Sequence, residues 1–556
     1  MIKISKKVSL ISLILILLIS LGLRFYQLGN LPSAFHTDEM ALGYNGWSLL
    51  RTGKDEWGER LPLVLRSFDD YKPAVYSYLS IPGIALFGLS QFSTRLPAAI
   101  FGCLLSILVY FLVKQLTKDK LTALISALVI AISPWHIEIS RTAIEAGVAL
   151  SLSMLVYVLI DKKIKFKGKN VLLAALSLAI LYTYHTARIL FPLLLLVKLV
   201  VYREKSKKLF LLASFLFLIG IGLSLTSSSS RFAQISLFSD RETQLLQAEA
   251  IREDGGPIST PLLLTRIFHN KYYYLAQTFT KSYLTNTSLS YLFLGGAQPP
   301  RVTIPETGQF LLCFLPFFLI GIAISLKKWC KFDQWLLIWL LLAPIPASLT
   351  TAEIPHTYRT LYLLPVVAIY IGLGINFIIE KLNKPRSKSL NYLLIIGALA
   401  ILTFFTARGW HQYRVHQQVH RPWHRQFGYK NLITKLNNLN QAEKITITNR
   451  ENEPFMAILF YNQIDPEAYQ ALDQKRLSHK AIEQGAKQWS MWHYVFSEDT
   501  CPHDLEDTNP NHYYVVMPTC ELPKNYERVD EVSFLDGVTE FYLDRPLVED
   551  DAENSD

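Results

Sequence analysis

The feature that most constrains this chain is a series of eleven long apolar runs, at approximately 8–24, 94–113, 121–139, 144–160, 170–185, 188–202, 209–226, 309–326, 334–350, 360–379 and 390–407. About 20 residues at about 1.5 Å each cross the hydrocarbon core of a bilayer, so runs of this kind read as transmembrane helices. The first run follows Lys3, Lys6 and Lys7 and is succeeded by Arg24-Phe25-Tyr26, with no small-residue cleavage site, and is expected to be a retained anchor.

The net charge is +10, which in a soluble protein would suggest a nucleic-acid partner. Here the basic residues gather in alternate short loops. One set holds Lys3/Lys6/Lys7, Lys114/Lys118/Lys120, the lysines of 162–169, Arg203/Lys205/Lys207/Lys208, Lys327/Lys328/Lys331, and Lys381/Lys384/Arg386/Lys388. The other short loops carry about one basic residue each: Arg141, Arg188 and Arg359. The positive-inside rule then puts the N-terminus in the cytoplasm and everything after residue 407 outside, in a multi-pass protein of the plasma membrane with lipids, not nucleic acid, around it. Residues 1–409 form the membrane domain, with outer loops at 25–93 and 227–308; residues 410–548 form a small extracytoplasmic α/β domain, and 549–556 an acidic disordered tail.

Within the first outer loop, Met40, Tyr44, Trp47 and Leu50 recur at helical spacing behind a Thr37 cap, and a second helical pattern spans 72–90. Such aromatic-rich amphipathic segments are expected in the interface plane. The loop 227–308 is either a lid or acceptor-binding loop or a passive connector. The His- and Arg-rich stretch 410–425 reads as a juxtamembrane collar more readily than as a metal tract. In the C-terminal part, strands are expected at 444–448 and 513–517, a helix at 454–462, and a hairpin at Asp536-Gly537. Five cysteines make no disulfide scaffold, but Cys501 and Cys520 pair if their side is oxidising. The chain shows no P-loop or dinucleotide fingerprint, which argues against an ATP-driven pump.

Ionisable residues near a membrane are costly and need a reason. Those that stand out lie at outer helix ends or in outer loops. Asp38-Glu39 opens the first loop; adjacent helical residues face apart, so one carboxylate can serve a cavity while the other caps or braces. Asp70-Tyr71-Lys72-Pro73 returns to the same interface, where Lys72 can hold an anionic phosphate or merely stand in a solvated turn. Arg141 and Glu145 are four apart and either bind substrate or pair with each other. His185/Arg188 and His356/Arg359 are both His-x-x-Arg at an outer boundary, suited to a phosphate or to lipid headgroups.

Taken together, Phe35-His36-Thr37-Asp38-Glu39, the Asp-Tyr-Lys-Pro run, Ser133-Pro134-Trp135-His136-Ile137 with Ser140-Arg141, and the two His-x-x-Arg boundaries resemble the bacterial GT-C glycosyltransferases, in the dolichyl-phosphate-mannose–protein mannosyltransferase and aminoarabinose transferase branch. The resemblance covers about residues 8–410. It implies a polytopic α-helical membrane enzyme of about eleven transmembrane helices that takes a sugar from a polyprenyl phosphate. Asp38 matches the outer-loop aspartate that acts on the acceptor, and Lys72-Pro73 the Lys-Pro whose lysine contacts the lipid phosphate. Glu145 stands near the family's acidic residue at the start of the fourth helix. Where the family commonly has Glu before that lysine, sometimes as a metal ligand, this chain has Tyr71, with Asp70 one place earlier. That departure leaves a divalent cation open; no other cofactor is implied.

The chemistry agrees. A polyprenyl phosphate is a good leaving group, so the enzyme needs a base for the acceptor hydroxyl and cations for the departing phosphate, and a single displacement inverts the anomeric centre. Asp38 is the expected base and Glu39 an orienter or alternate. Asp70, Lys72, Arg141, Glu145, His185, Arg188, His356 and Arg359 are substrate-side candidates. The acceptor is a protein, lipid or cell-wall glycan. A lipid-linked-sugar transporter or flippase, and a ligase or polymerase using diphosphate-linked oligosaccharides, are the alternatives. A transporter would place its polar residues nearer the midplane and in two related halves.

Overall fold

The computed structural model describes residues 4–67, 70–225, 236–255, 260–382, 388–419, 426–439, 442–450, 453–472 and 488–547. The tail 549–556 and residues 420–425 of the basic collar lie outside them. The first ten helices are α1 Lys6–Phe25, α2 Thr37–Thr52, α3 Val75–Phe87, α4 Gln91–Thr117, α5 Lys120–Ile132, α6 Pro134–Ile139, α7 Glu145–Leu159, α8 Lys169–Leu181, α9 His185–Val201 and α10 Lys207–Leu225. Later apolar helices span Leu315–Lys328, Lys331–Leu342, Leu363–Leu382 and Lys388–His411. Each of the eleven apolar runs contains at least one helix. Among the described residues five helices are long and apolar enough to cross a membrane by length and composition. The protein is a multi-pass helical membrane protein.

Two of the runs are interrupted where the backbone demands it. The run 121–139 breaks between α5 and α6 at Ser133-Pro134, where the Ser133 side chain caps the new helix at the His136 N–H. The run 334–350 breaks after Leu342, ahead of Pro344, whose ring cannot donate to the helical ladder.

The chain forms two compact units, Met1–Tyr26 with Ala98–Tyr413, and Gln27–Pro97 with Arg414–Asp556. In the first, helices Leu315–Lys328 and Leu363–Leu382 meet through reciprocal glycines. A Cβ on Gly321 would strike the Tyr370 carbonyl, and one on Gly374 the Phe317 carbonyl. Small residues that let two backbones approach are what helix association in lipid uses in place of a hydrophobic force.

In the second unit the loop between α1 and α4 and the C-terminal part share one core. Its sheet has β3 Lys444–Thr448, β4 Gln488–Met491, β5 Tyr494–Ser497, β6 His512–Val516, β7 Tyr526–Ser533 and β8 Thr539–Pro546, in the order β4-β5-β3-β6-β8-β7. The central β5-β3-β6 pairs are parallel and the outer ones antiparallel. The β7–β8 hairpin turns at Asp536-Gly537, where Gly537 takes a φ of 83° that favours glycine. Cys501 and Cys520 are joined in a disulfide. A smaller antiparallel pair, β1 Val64–Ser67 and β2 Asp70–Pro73, lies in the loop.

The apolar face of α2, expected at the membrane interface, is packed against protein. Phe35, Met40, Ala41 and Tyr44 are buried in one cluster with Tyr429, Ile433, Met456, Phe460 and Tyr469. Tyr44 donates its hydroxyl to the Ile464 carbonyl at 3.0 Å. Gly43 lies so close to Thr94 and Phe460, and Gly46 to Ser80 and Ile84, that a side chain at either would force those neighbours apart. The amphipathic pattern was read correctly, but its apolar face is covered by protein, not lipid. Spacing reveals that a face is apolar and cannot name what covers it.

Candidate active site

The site grows from the start of α2. His36, not Thr37, is its cap: its Nδ1 accepts the Asp38 N–H at 3.1 Å. The Thr37 N–H is instead held by the side-chain oxygen of Gln426, at 2.7 Å, and the Ser33 N–H by that of Gln418, also at 2.7 Å. Two glutamines nearly 400 residues downstream thus fix the turn from which Asp38 projects.

Asp38 and Glu39, about 100° apart on the helix, have opposite surroundings. Asp38 keeps 39% of its side chain exposed and forms an ion pair with Lys72. Its carboxylate is also 3.4 Å from His36 Nδ1. Glu39 is buried and takes two bonds from Arg95, Nε to Oε2 at 2.9 Å and Nη2 to Oε1 at 3.1 Å. Arg95 is also fully buried, and its remaining donors reach the carbonyls of Pro32 at 2.9 Å and Ala34 at 2.7 Å. Its guanidinium lies over the Phe35 ring, 5.1 Å from the centroid. Glu39 therefore braces the loop that presents Asp38.

Lys72 arrives from β2, where it stands opposite Leu65 while Asp70 stands opposite Ser67. Opposed residues of an antiparallel pair share a face, and so do residues two apart. Leu65, Ser67 and Lys72 therefore share the buried face, while Tyr71 and Arg66 take the other. The Arg66 guanidinium sits 4.0 Å above the Trp57 ring on that outer side.

A second acidic pair, which sequence reasoning passed over, follows α2. Asp55 and Glu56 are both buried. Asp55 accepts the N–H groups of Trp57 and Glu59 at 3.0 and 2.9 Å. Burial nevertheless raises its carboxyl to about 6. Glu56 accepts the Ser67 hydroxyl at 3.0 Å, and its N–H donates to Asn45 at 3.0 Å. Burial pushes the Glu56 carboxyl up to about 8, against the opposing pull of Ser67, Asn45 and Lys72. The sequence signal was available: Asp55-Glu56 repeats Asp38-Glu39 just past the Gly53 cap.

The remaining candidates lie in the helical unit. Arg141 donates to the carbonyls of Leu23, Arg24 and Tyr26 at 2.8, 2.9 and 2.6 Å and to the Tyr413 hydroxyl at 2.7 Å. It thereby serves the acceptors that the end of α1 leaves over. Glu145 is the first residue of α7 and His185 that of α9. Arg188 donates to the Leu181 carbonyl, at the end of α8, at 2.9 Å. His356 and Arg359 come together with Arg301 around Glu353. His356 Nε2 is 3.4 Å from one carboxylate oxygen and Arg301 Nη1 is 3.2 Å from the other. His356 Nδ1 accepts the Tyr358 N–H at 3.2 Å, so its hydrogen is on Nε2, facing Glu353. Burial lowers the imidazole to about 4, so the bond is given by a neutral ring. Burial tends to raise Glu353, but the His356 bond and the charge of Arg301 hold it down to about 2. Arg359 donates to Thr350 Oγ1 at 2.7 Å and the Ala352 carbonyl at 3.0 Å. Among the described residues no group of three or more His, Cys, Asp or Glu is placed to hold a metal ion.

Residues 71–226 match the family model of dolichyl-phosphate-mannose–protein mannosyltransferase. The match bears out the GT-C resemblance over a segment that holds Lys72, Arg141, Glu145, His185 and Arg188. Similar solved structures include the oligosaccharyltransferase of Archaeoglobus fulgidus in its apo form, at 15% identity and a TM-score of 0.49, covering 83% of this chain. This chain spans 64% of that protein's length. They also include ArnT from Cupriavidus metallidurans bound to undecaprenyl phosphate, at 13% identity and a TM-score of 0.48, covering 96% of this chain and 97% of ArnT. The apo state of the same ArnT gives 12% identity and a TM-score of 0.42, covering 95% and 97% of the two chains. No curated protein matches.

Proposed function

We propose that this protein moves a sugar from a polyprenyl-phosphate carrier to an acceptor hydroxyl at the outer face of the plasma membrane, with inversion. It is a membrane glycosyltransferase, as the match over 71–226 supports. The observation that carries the mechanism is the Asp38–Lys72 pair, a half-exposed carboxylate and a cation held together by rigid supports. Asp38 takes the proton of the acceptor hydroxyl. That oxygen forms the new bond to the anomeric carbon as the bond to phosphate breaks, and Lys72 stabilises the departing phosphate. Lys72 is thus shared between base and leaving group, and the approach of the donor frees Asp38 to act. A general acid is not required, because the phosphate departs as a stable anion.

Arg359, with Arg301, is a further candidate anion contact in its own loop. The six basic loops support a cytoplasmic N-terminus and an outer location for the Asp38 loop and the sheet domain. The Cys501–Cys520 disulfide suits an oxidising side. The acceptor class is a protein, lipid or cell-wall glycan.

The test supplies labelled polyprenyl-monophosphate sugar to membranes containing wild type, Asp38→Asn or Lys72→Ala. Both variants are expected to lose transfer at wild-type expression. Undiminished transfer by Asp38→Asn removes the base from its role. Transfer only from a diphosphate-linked donor assigns the protein to the ligases instead.

A further inference from the structure

The residue before Asp38 is gripped from the C-terminal part of the chain. Gln426 meets Thr37 at two points: its Oε1 accepts the Thr37 N–H at 2.7 Å and its Nε2 donates to the Thr37 hydroxyl at 3.3 Å. Both residues are buried, Gln426 at 2% and Thr37 at 4% exposure. The contact fixes the amide, because only its oxygen can receive an N–H and the nitrogen must then face the hydroxyl. With the Asp38 N–H held by His36, the first two N–H groups of α2 both end on side chains. The backbone of Gln426 has a φ of 58°, in the left-handed region that a residue with a Cβ keeps only where its surroundings hold it. Two residues on, Gly428 passes so close to Glu540 of β8 that a Cβ would strike the carboxylate. The helix Tyr429–Leu436 follows, and its Leu432, Ile433 and Leu436 are buried in the same core as Met40 and Tyr44 of α2. A second tie, from Gln418 to the Ser33 N–H, holds the chain just ahead of the turn.

We propose that Gln426 is a positioning residue for the transfer reaction: the C-terminal part of the chain completes the active centre by clamping Thr37, and with it the direction in which the Asp38 carboxylate points. The inference rests on the reading of Asp38 given above and extends it to a part of the chain outside the membrane helices. Asp38 is the second residue of α2. It is aimed only as well as the first turn is fixed, and helix ends fray where their donors go unsatisfied. A two-point bond holds both the Thr37 backbone and its side chain, so the turn keeps one arrangement. Misplacing a reacting group by about 1 Å costs on the order of 10²-fold in rate. The donor phosphate meets Lys72, which is carried by β2. Donor binding and the aim of the base are therefore held by different elements and separate in kinetics.

The experiment measures kcat and the donor KM of the full chain in membranes, with polyprenyl-monophosphate sugar as donor, for wild type, Gln426→Met, Thr37→Val, Thr37→Ser and Leu436→Ala. Gln426→Met keeps the length of the side chain without its polar atoms, and is expected to lower kcat by about 10- to 100-fold with the donor KM within about twofold. Thr37→Val removes only the hydroxyl contact and is expected to lower kcat by about three- to tenfold, most of which Thr37→Ser restores. Leu436→Ala opens a cavity in the shared core; it lowers the melting temperature and leaves kcat within about twofold. An unchanged kcat in Gln426→Met overturns the proposal. So does a loss that Leu436→Ala shares at an equal fall in melting temperature, which assigns Gln426 to stability alone, and so does a loss carried by the donor KM. Should Gln426→Met not accumulate, a kcat in Thr37→Val no lower than in Thr37→Ser overturns it equally. Asp38→Asn in the same membranes separates the two readings. If it is inactive while Gln426→Met transfers normally, only the Gln426 inference falls; if it transfers normally, the Asp38 reading falls whatever Gln426→Met does.

Discussion

The two ends of α2 carry the same dipeptide and put it to different uses. At the N-terminus Asp38-Glu39 is matched with cations, Lys72 for the half-exposed member and Arg95 for the buried one. Beyond the C-terminus Asp55-Glu56 is buried, Asp55 accepting backbone N–H groups and Glu56 the Ser67 hydroxyl. Burial raises both carboxyls of the second pair and moves them toward protonation. Sequence alone does not separate the two pairs. What separates them is the set of partners and the depth of burial that the fold gives each carboxylate.

Four measurements press on that contrast. The largest effect is expected at the accessible acid: Asp38→Asn lowers kcat by about 10²- to 10⁴-fold while the protein keeps its melting temperature. A comparable loss of stability would instead make Asp38 a brace like Glu39. Next comes the dry pair. Removing either partner leaves a buried charge, so Glu39→Gln or Arg95→Met costs about 3–5 kcal/mol, seen as a lower midpoint in denaturation. The double variant Glu39→Leu/Arg95→Met is expected to recover part of that loss, and strictly additive losses would count against a desolvated pair.

The third effect has a pH window. The folded state binds the Glu56 proton up to about 8, whereas the unfolded chain releases it near the ordinary glutamate value of 4.5. Wild-type stability therefore falls with rising pH across that interval, and none of it is regained above. Glu56→Gln is released from this penalty. Its stability relative to wild type is expected to climb between pH 4.5 and about 8, by on the order of a few kcal/mol. A pH-independent difference would show that the carboxyl titrates normally. The smallest effect is at the surface, where Lys435 and Asp530 pair at 2.6 Å with both side chains more than a third exposed. Lys435→Ala is expected to change stability by at most about 1 kcal/mol and to weaken further in salt.

Much of this protein was legible in advance. Long apolar runs are nearly sufficient evidence for helices in a membrane chain, because lipid offers the backbone no other partner. Charge alternation yields an orientation, and Asp-Gly between strand-like runs marks the β7–β8 hairpin because few other residues accept that turn. The Asp38 and Lys72 motifs were both expected at the same interface; that the two side chains form an ion pair is what the structure adds.

What could not be read was what covers each face. The pattern of Met40 and Tyr44 reports an apolar side, and only the fold decides that its cover is Phe460 and Tyr469 rather than lipid. Arg95 looks like one charge at the edge of a transmembrane run, until the chain turns back and gives it Glu39 and three carbonyls. Gln418 and Gln426 carry no local signal at all, yet they hold the turn from which Asp38 projects. The sequence by itself determined the membrane helices, their expected polarity and the acid to suspect, since these follow from local composition. That Glu39 meets Arg95 while burial raises the Asp55 and Glu56 carboxyls was decided by the tertiary structure alone, because it depends on burial and on partners brought from distant parts of the chain.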